Sequence, residues 1–303
     1  MDESNELNIG IIGTDTSHSV AFAELLNDRN HAWHLPGGRI VAAYKGGSPD
    51  FELSISRVEG FAARLQNDFG VRILAEPEQV AESCDAILLL AADGRAHRSL
   101  FGRIAPFGKP VFIDKPLATN TEDAKAIAAL AERYGVPVMT ASALRFAEAL
   151  REKLDDERDG EITGADCCGP IIIEPTQGGY FWYGIHAAEM LFAALGPGCG
   201  RVTAFSAGDQ EMIVGVWKDG RIGTVRGSSA SYHPFSAVIH RERNSAFAEV
   251  SAGAKPFYAS LLERVFGLFQ TGVPAVPMTH SVEVIRFLEA ANESRASGSA
   301  VAL

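Results

Sequence analysis

Six short, continuously apolar segments alternate with helical patterns near the start of the chain, and this alternation constrains the fold most. Uninterrupted apolar runs of this length are typical of strands that are covered on both faces of a parallel sheet. The predicted strands are 7–12, 39–44, 71–74, 86–90, 111–113 and 136–139. Because helical segments separate them, the sequence predicts an α/β fold with a doubly wound parallel sheet.

The pattern changes after Arg145, where short alternating or apolar runs replace the regular alternation of strand and helix. We predict a helix that begins at His186 and a hairpin turn at Lys218-Asp219-Gly220. The strands predicted in this part are 170–173, 202–205, 212–216 and 221–225. The sequence therefore predicts two domains, 1–145 and 146–303. The second is α+β with a mainly antiparallel open sheet, and its final helix is expected to pack back on the first domain.

Composition limits the partners and the location that we expect. A chain of 303 residues agrees with two domains, and its net charge of −11 argues against nucleic acid or an anionic membrane as main partner. The acidic residues 1–6 resemble neither a signal nor a transit peptide, and no run is apolar enough to span a bilayer. The four cysteines lack metal-binding spacing, and Cys167 and Cys168 are expected to be half-buried strand thiols. We expect a cytoplasmic protein with a small-molecule substrate and no metal ion.

Two charged residues and a proline follow the fifth predicted strand, in the order Asp114-Lys115-Pro116. Ligands bind at the carboxyl ends of strands in open α/β sheets, so this turn is a candidate site. A lysine beside a carboxylate in such a place can donate or accept a proton. The alternative is a solvated turn with no chemical role.

The order of these features resembles the Gfo/Idh/MocA family, which includes glucose–fructose oxidoreductase and inositol dehydrogenase. Residues 108–118 match the family's Gly-Lys-x-Val-x-x-Glu-Lys-Pro, with Asp114 in place of glutamate. Arg145 after the sixth strand and His186 in Tyr183-Gly184-Ile185-His186 extend the resemblance over essentially the whole chain. It implies a Rossmann-type first domain and a second domain whose sheet forms a homodimer or homotetramer.

The resemblance also implies a nicotinamide-dependent oxidoreductase that transfers hydride between NAD(P) and a carbinol of a sugar, polyol or related small molecule. Lys115 and His186 correspond to the acid/base residues of the family, and we expect them to converge beside the nicotinamide. The residues expected to bind substrate are Lys115, Trp182, Tyr183 and His186. Those expected to bind the cofactor are Gly13, Thr14, Asp15, Thr16, Ser17, His18, Lys45, Ala91, Ala92, His97, Asp114, Lys115, Pro116 and Arg145.

The glycine loop departs from the family pattern. In Gly13-Thr14-Asp15-Thr16-Ser17-His18 only the first of three glycines is present. The second glycine normally lets the backbone approach the pyrophosphate, and Asp15 instead brings a negative charge there. The helix N-terminus still offers amides to a phosphate, and hydroxyl groups lie beside it. Asp15 and Ser17 are equally explained as helix caps that bind no ligand.

Two further departures concern the cofactor's ribose and the substrate. The second strand ends in Tyr44-Lys45-Gly46-Gly47-Ser48 without the acidic residue that holds the ribose of NAD. Lys45 and Ser48 favour NADP, although a lysine at a strand end is often only a solvated charge. Trp182 occupies the position of a family aspartate. The aromatic residues 180–183 could stack on a sugar ring or pack in the core.

Two other functions remain open from the sequence. One is a catalytically silent relative that binds a nucleotide or a sugar, which Asp15 and Trp182 favour. The other is a lyase or hydrolase that uses a transient hydride step on bound NAD. Lys115 and His186 favour chemistry over silence, so the dehydrogenase is the leading interpretation.

Overall fold

The computed structural model describes residues 6–303, so the interpretation of residues 1–5 as part of an acidic N-terminus lies outside it. The chain divides into two compact units. The first runs through residue 118 and adds 122–140 and 261–278. The second comprises 119–121, 141–260 and 279–303. No helix within residues 6–303 is long and apolar enough to cross a membrane.

The first unit contains a six-stranded sheet in the order β3-β2-β1-β4-β5-β6, with every neighbouring pair parallel. This confirms the predicted doubly wound parallel sheet. Its strands are β1 (Leu7–Ile12), β2 (Gly38–Tyr44), β3 (Arg72–Leu74), β4 (Ala86–Leu89), β5 (Val111–Ile113) and β6 (Val138–Thr140). The strand order reverses direction at β1, between β2 and β4, and such a switch point opens a crevice at the carboxyl ends of the strands.

Helices cover this sheet because its strands are apolar on both faces. Those belonging wholly or mainly to the first unit are α1 (Ser17–Asn27), α2 (Glu52–Ile55), α3 (Val58–Phe69), α4 (Pro77–Ser83), α5 (His97–Ile104), α6 (Thr121–Tyr134) and α9 (Phe257–Thr271). Ile9, Ile11 and all of β4 are fully buried. A Cβ on Gly10 would lie 2.3 Å from a methyl carbon of Val80, so glycine allows α4 to pack closely on β1.

The residue that caps the N-terminus of helix α1 differs from the two expected. Thr16 is its N-cap, and the Thr16 hydroxyl accepts a hydrogen bond from the His18 N–H at 3.3 Å. The interpretation of Asp15 and Ser17 as caps is therefore wrong. Asp15 precedes the cap and turns its carboxylate elsewhere, whereas Ser17 is the exposed first residue of the helix.

The second unit contains a seven-stranded sheet in the order β12-β11-β7-β10-β9-β8-β13. Only the β7–β10 pair is parallel, so the predicted mainly antiparallel sheet is confirmed. Its strands are β7 (Ile162–Cys168), β8 (Cys199–Ala207), β9 (Gln210–Trp217), β10 (Ile222–Ser228), β11 (Ser236–Arg241), β12 (Ser245–Glu249) and β13 (Val301–Ala302). The helices are α7 (Glu148–Leu154), α8 (Gly184–Leu195) and α10 (Met278–Ser297).

One predicted strand of the second unit is wrong. Residues 170–173 form no strand, because Pro170 has no N–H for a ladder and only the Ile171 amide reaches β10, at the Ser228 carbonyl. The chain pairs with β10 through β7 instead. In β7 Cys168 is half-buried as predicted, whereas Cys167 is fully buried, so the prediction is wrong for Cys167. The hairpin turn at Lys218-Asp219-Gly220 is confirmed between β9 and β10.

Candidate active site

Gly13 joins the end of β1 to the loop after β4. Its φ is +91°, and a Cβ at this position would lie 2.4 Å from the backbone nitrogen of Ala91. Only glycine therefore fits, for both conformational and steric reasons. The Gly13 N–H donates to the Tyr44 carbonyl at 2.9 Å, which fixes the end of β1 against β2. The one glycine kept from the family's loop is thus required by this structure itself.

The side chain of Asp15 points into the protein. Its Oδ1 accepts a hydrogen bond from the Ala92 N–H at 3.1 Å, and its Oδ2 accepts one from the Ser54 hydroxyl at 2.5 Å. Ser54 in turn accepts from the Ser48 N–H at 2.8 Å. Asp15 is 1% exposed, so this buried carboxylate has the donors that burial of a charge requires. It links the loops that follow β1, β2 and β4.

His18 and Asp114 form a close pair at the carboxyl ends of β1 and β5. The Nδ1 atom of His18 lies 2.6 Å from Oδ2 of Asp114, and the side chains are 12% and 5% exposed. Burial raises the pKa of Asp114. The charge and hydrogen bond of His18 and the charge of Lys115 lower this pKa by more than burial raises it, so the net pKa lies below the ordinary value. His18 also stacks on Phe22, with ring centroids 5.8 Å apart.

Lys115 follows Asp114 and is half-buried. Burial lowers the pKa of its ammonium group, the charge of Asp114 opposes that shift, and the charge of Arg57 adds to it. The net pKa lies below the ordinary value of lysine. Such a lysine releases its proton more readily near neutral pH than an exposed one, which suits acid/base chemistry.

His97 connects the loops behind Lys115. Its Nδ1 lies 2.9 Å from the Pro116 carbonyl oxygen and its Nε2 lies 2.8 Å from the Ala91 carbonyl oxygen. The ring is fully buried at the start of α5. The structure thus brings together three residues that were expected to bind the cofactor, His97, Ala91 and Pro116. Their contacts hold the segment that carries Lys115.

Lys45 lies at the end of β2 and pairs with Glu59. The Lys45 ammonium nitrogen is 2.7 Å from Oε2 of Glu59, and both side chains are substantially exposed. An exposed ion pair of this kind contributes little to stability and is readily broken. A ribose phosphate that binds to Lys45 would have to compete with this carboxylate.

An arginine that no sequence motif indicates links two loops of the crevice. Arg95 donates to both carboxylate oxygens of Asp50 at 2.8 and 2.9 Å. It also donates to both oxygens of Asp93, with 2.7 Å as the shortest of these contacts. Asp50 follows β2 and Asp93 follows β4. Polar residues after the ends of β2 and β4 were the available signal, because both ends lie at the same edge of the parallel sheet and only β1 separates the two strands.

In the second unit His186 is surrounded by polar and aromatic groups. Its Nδ1 lies 2.7 Å from Oγ of Ser142, which is fully buried. The rings of Tyr183 and Phe235 contact it edge-on at centroid distances of 5.7 and 5.5 Å. Trp182 packs against Tyr183 at 6.3 Å. Three of the four predicted substrate-binding residues, Trp182, Tyr183 and His186, are thus neighbours. Ser142 also lies in this group, although sequence spacing did not indicate it.

Two parts of the predicted site in the second unit, Arg145 and the aromatic segment 180–183, make contacts within the protein. Arg145, predicted to bind the cofactor, forms a buried ion pair with Glu189 of α8 at 2.7 Å. Within the aromatic segment, Tyr180 and Phe181 are core residues, and the Tyr180 hydroxyl donates to Glu211 at 2.7 Å. Lys115 and His186 belong to different units, so their convergence stays a prediction.

The first unit offers groups that suit a nicotinamide dinucleotide. Gly13 allows close approach at the switch point, and the N-terminus of α1 with the exposed Ser17 offers anion-binding groups. The Asp15 carboxylate is turned toward Ser54 and Ala92, which removes part of the expected conflict with a phosphate. Across residues 6–303, no group of three or more His, Cys, Asp and Glu side chains is arranged to hold a metal ion.

Sequence similarity to known proteins covers part of the chain. Residues 7–142 match Gfo/Idh/MocA, described as an oxidoreductase family with an NAD-binding Rossmann fold. D-apiose dehydrogenase of Paraburkholderia graminis is 31% identical over 134 residues, which are 44% of this chain and 33% of that protein. Myo-inositol dehydrogenase Hyg17 of Streptomyces leeuwenhoekii is 41% identical over 61 residues, which are 20% of this chain and 18% of that protein. The chain therefore matches less than two thirds of the length of either relative.

Similarity in structure extends over the whole chain. GenD2 from gentamicin A biosynthesis, solved in complex with NAD, aligns with a TM-score of 0.80. The alignment covers 100% of this chain and 98% of that one at 19% sequence identity. At this identity the likeness establishes the shared fold.

Proposed function

We propose that the chain, whose residues 7–142 match the Gfo/Idh/MocA family of oxidoreductases, is a member of that family and transfers hydride between NAD(P) and a carbinol carbon of a sugar, polyol or related small molecule. The observation that carries this proposal is Lys115, half-buried at the end of β5 with a lowered pKa. The named relatives act on apiose and inositol, which supports a polyhydroxylated substrate.

The cofactor would be held by the first turn of α1, by Gly13 and by the loops after β2 and β4. When bound, the nicotinamide ring supplies the hydride acceptor or donor. Lys45 and Ser48 favour NADP, because neither is an acid that would hold the ribose hydroxyls of NAD. Replacing Lys45 with Asp should shift preference toward NAD, and an unchanged ratio of affinities would exclude Lys45 as a phosphate contact.

Lys115 would bind the reacting oxygen and move its proton. In the oxidation direction the neutral amine accepts the hydroxyl proton, and in reduction the ammonium donates it. The lowered pKa makes the neutral amine easier to reach than in an exposed lysine. His186 is the second acid/base candidate, and its contact with Ser142 orients the imidazole. The half-buried Trp182 and Tyr183 offer ring faces to a sugar.

We also propose that the protein forms a homodimer or homotetramer through the sheet of the second unit and resides in the cytoplasm. Strand pairing places Phe205, Ile222 and Phe247 on one face of that sheet, and they are 57%, 53% and 60% exposed. Apolar side chains on an open sheet face favour association. Sedimentation should detect an oligomer at micromolar concentration and a monomer after Phe205→Asp. The four cysteines, all unpaired, agree with a reducing compartment.

A catalytically silent binder is the second candidate, because Asp15 replaces the glycine that lies nearest the diphosphate. The experiment that separates the two has two stages. The protein is titrated with NADPH and with NADH, and binding is detected by energy transfer from protein tryptophan to the bound cofactor. Saturable binding is expected. Oxidised cofactor and a panel of sugars and polyols should then give absorbance at 340 nm. Binding without any turnover supports the silent protein. Absence of dinucleotide binding contradicts both the dehydrogenase and a silent nucleotide binder.

A further inference from the structure

Residues 46–57, which we call the arm, follow β2, and the residues on either side of the arm contact Thr14. The Thr14 N–H donates to the carbonyl of Lys45 at 2.8 Å, immediately before the arm. The Thr14 hydroxyl lies 3.2 Å from the carbonyl oxygen of Val58, immediately after it. Thr14 follows Gly13 at the end of β1, so both ends of the arm are fixed at the loop where a diphosphate is expected.

Two contacts hold the middle of the arm on the same crevice. The Ser54 hydroxyl donates to Asp15 at 2.5 Å, and Asp50 binds the guanidinium of Arg95 through two hydrogen bonds. Arg95 also binds Asp93, which attaches the arm to the loop after β4. The arm therefore extends from β2 past the end of β1 to the end of β4.

Arg57 is the last residue of the arm and has an unusual environment. Its Nε donates to the carbonyl of Leu53, one turn earlier, and no carboxylate within residues 6–303 forms an ion pair with it. Arg95, on the same crevice, is neutralised by two carboxylates. Arg57 is half-buried, and its positive charge contributes to the lowered pKa of Lys115. Arg57 directly precedes Val58, whose carbonyl oxygen lies 3.2 Å from the Thr14 hydroxyl, so this arginine stands beside the loop where a diphosphate is expected.

We propose that Arg57 is an anion-binding residue of this site and that it binds a phosphate or carboxylate group of the ligand. The inference rests on the proposed function and deepens it. A three-glycine loop holds a diphosphate mainly through backbone amides, and this chain keeps one glycine. The guanidinium offers a planar pair of N–H donors for the same oxygen atoms. The anion is either the cofactor's diphosphate or an acidic group on the substrate.

Calorimetric titration of three variants tests the proposal. Arg57→Met removes the charge and keeps most of the side-chain volume, and Arg57→Lys keeps the charge without the planar donors. Arg98→Met is the matched control, because Arg98 forms an exposed ion pair with Asp123 on the same unit. The probes are NADPH, inorganic pyrophosphate, and gluconate as an anionic polyol with sorbitol as its neutral counterpart.

The expected result is a loss of affinity of about tenfold or more in Arg57→Met. Arg57→Lys should lose less, and Arg98→Met should match the wild type. Weaker binding of both NADPH and pyrophosphate identifies the diphosphate as the anion. Weaker binding of gluconate alone, with sorbitol unchanged, identifies an acidic substrate.

The outcome is separable from that of the proposed function. If the wild type binds pyrophosphate in an Arg57-dependent way but binds no dinucleotide, the anion site stands and the dehydrogenase does not. If NADPH binds and Arg57→Met binds every anion as the wild type does, the anion site is overturned. Absence of saturable binding of any of these anions to the wild type overturns it as well. Thermal unfolding of each variant checks that the fold is kept.

Discussion

His18 Nδ1 lies 2.6 Å from Asp114 Oδ2, so two departures from the family's motifs meet in one contact. His18 stands at the position of the third glycine, and Asp114 stands at the position of the glutamate. The histidine fills space that a glycine would leave open, and its Nδ1–H donates to the carboxylate next to Lys115. The two substitutions are thus explained together, as one buried pair beside the proposed catalytic lysine.

The pair should make stability depend on pH in the acid range. The pKa of Asp114 is lower in the folded protein, so its contribution is complete above the unfolded-state value of about 3.9 and is lost as pH falls through the folded-state value. Asp114→Asn should lower the free energy of unfolding by roughly 1–3 kcal/mol at pH 7 and flatten its decline in acid. Urea unfolding between neutral and acid pH measures this.

A double-mutant cycle with His18→Ala assigns the effect to the pair. The two substitutions should be non-additive, because each removes the same contact. Additive losses would show that Asp114 and His18 stabilise the fold independently, and the pairing described here would then have no energetic role.

Lys115→Met should reduce turnover on the order of 100-fold while cofactor affinity is largely kept, because the ammonium acts on the substrate oxygen. In the oxidation direction the wild-type rate should rise with pH to a midpoint below the ordinary pKa of lysine, because the neutral amine is the base. The variant should lose this rise. Lys125→Met, at an exposed position of α6, serves as control. An unchanged pH profile in Lys115→Met would exclude Lys115 as the base.

His186→Asn should also reduce turnover on the order of 100-fold, because the imidazole is the second acid/base group. Ser142→Ala leaves the imidazole in place but removes the hydroxyl 2.7 Å from its Nδ1, and a smaller loss of roughly 10-fold is expected. Steady-state kinetics of the two variants measure the difference. Wild-type turnover in His186→Asn would remove His186 from the mechanism.

Asp15→Asn should tighten dinucleotide binding by roughly 1–3 kcal/mol, because it removes a negative charge near the expected diphosphate. The amide can still accept from the Ala92 N–H and can donate to the Ser54 oxygen, so the loop contacts are kept. Asp15→Gly removes the same charge and both contacts. If Asp15→Asn leaves the affinity unchanged, the diphosphate does not bind at this loop.

The sequence predicts the parallel sheet well because strands covered on both faces have a continuous apolar pattern that needs no knowledge of distant residues. It predicts the second sheet less well. Residues of β7 such as Gly164 and Asp166 interrupt the apolar pattern, and their pairing with β10 and β11 becomes visible only in the structure.

The candidate site was predicted where a motif is local, as at Asp114-Lys115-Pro116. It was missed where contacts join distant parts of the chain. Arg95 and Asp50 are 45 residues apart, and Ser142 and His186 are 44 apart. A pattern read along the sequence gives no sign that such residues meet, because residues this far apart in the chain are brought together only by the fold.

The most direct test of the account is transfer of deuterium from a labelled cofactor to a product. The protein is incubated with (4R)- or (4S)-[4-²H]NADPH and a mixture of keto sugars and inososes, and the products are analysed by mass spectrometry. The account predicts one deuterium on a carbinol carbon from one of the two labelled cofactors, with the signal strongly reduced in Lys115→Met. Saturable binding of NADPH without deuterium in any product would contradict it and would identify a silent binding protein or an enzyme that does not consume the added cofactor.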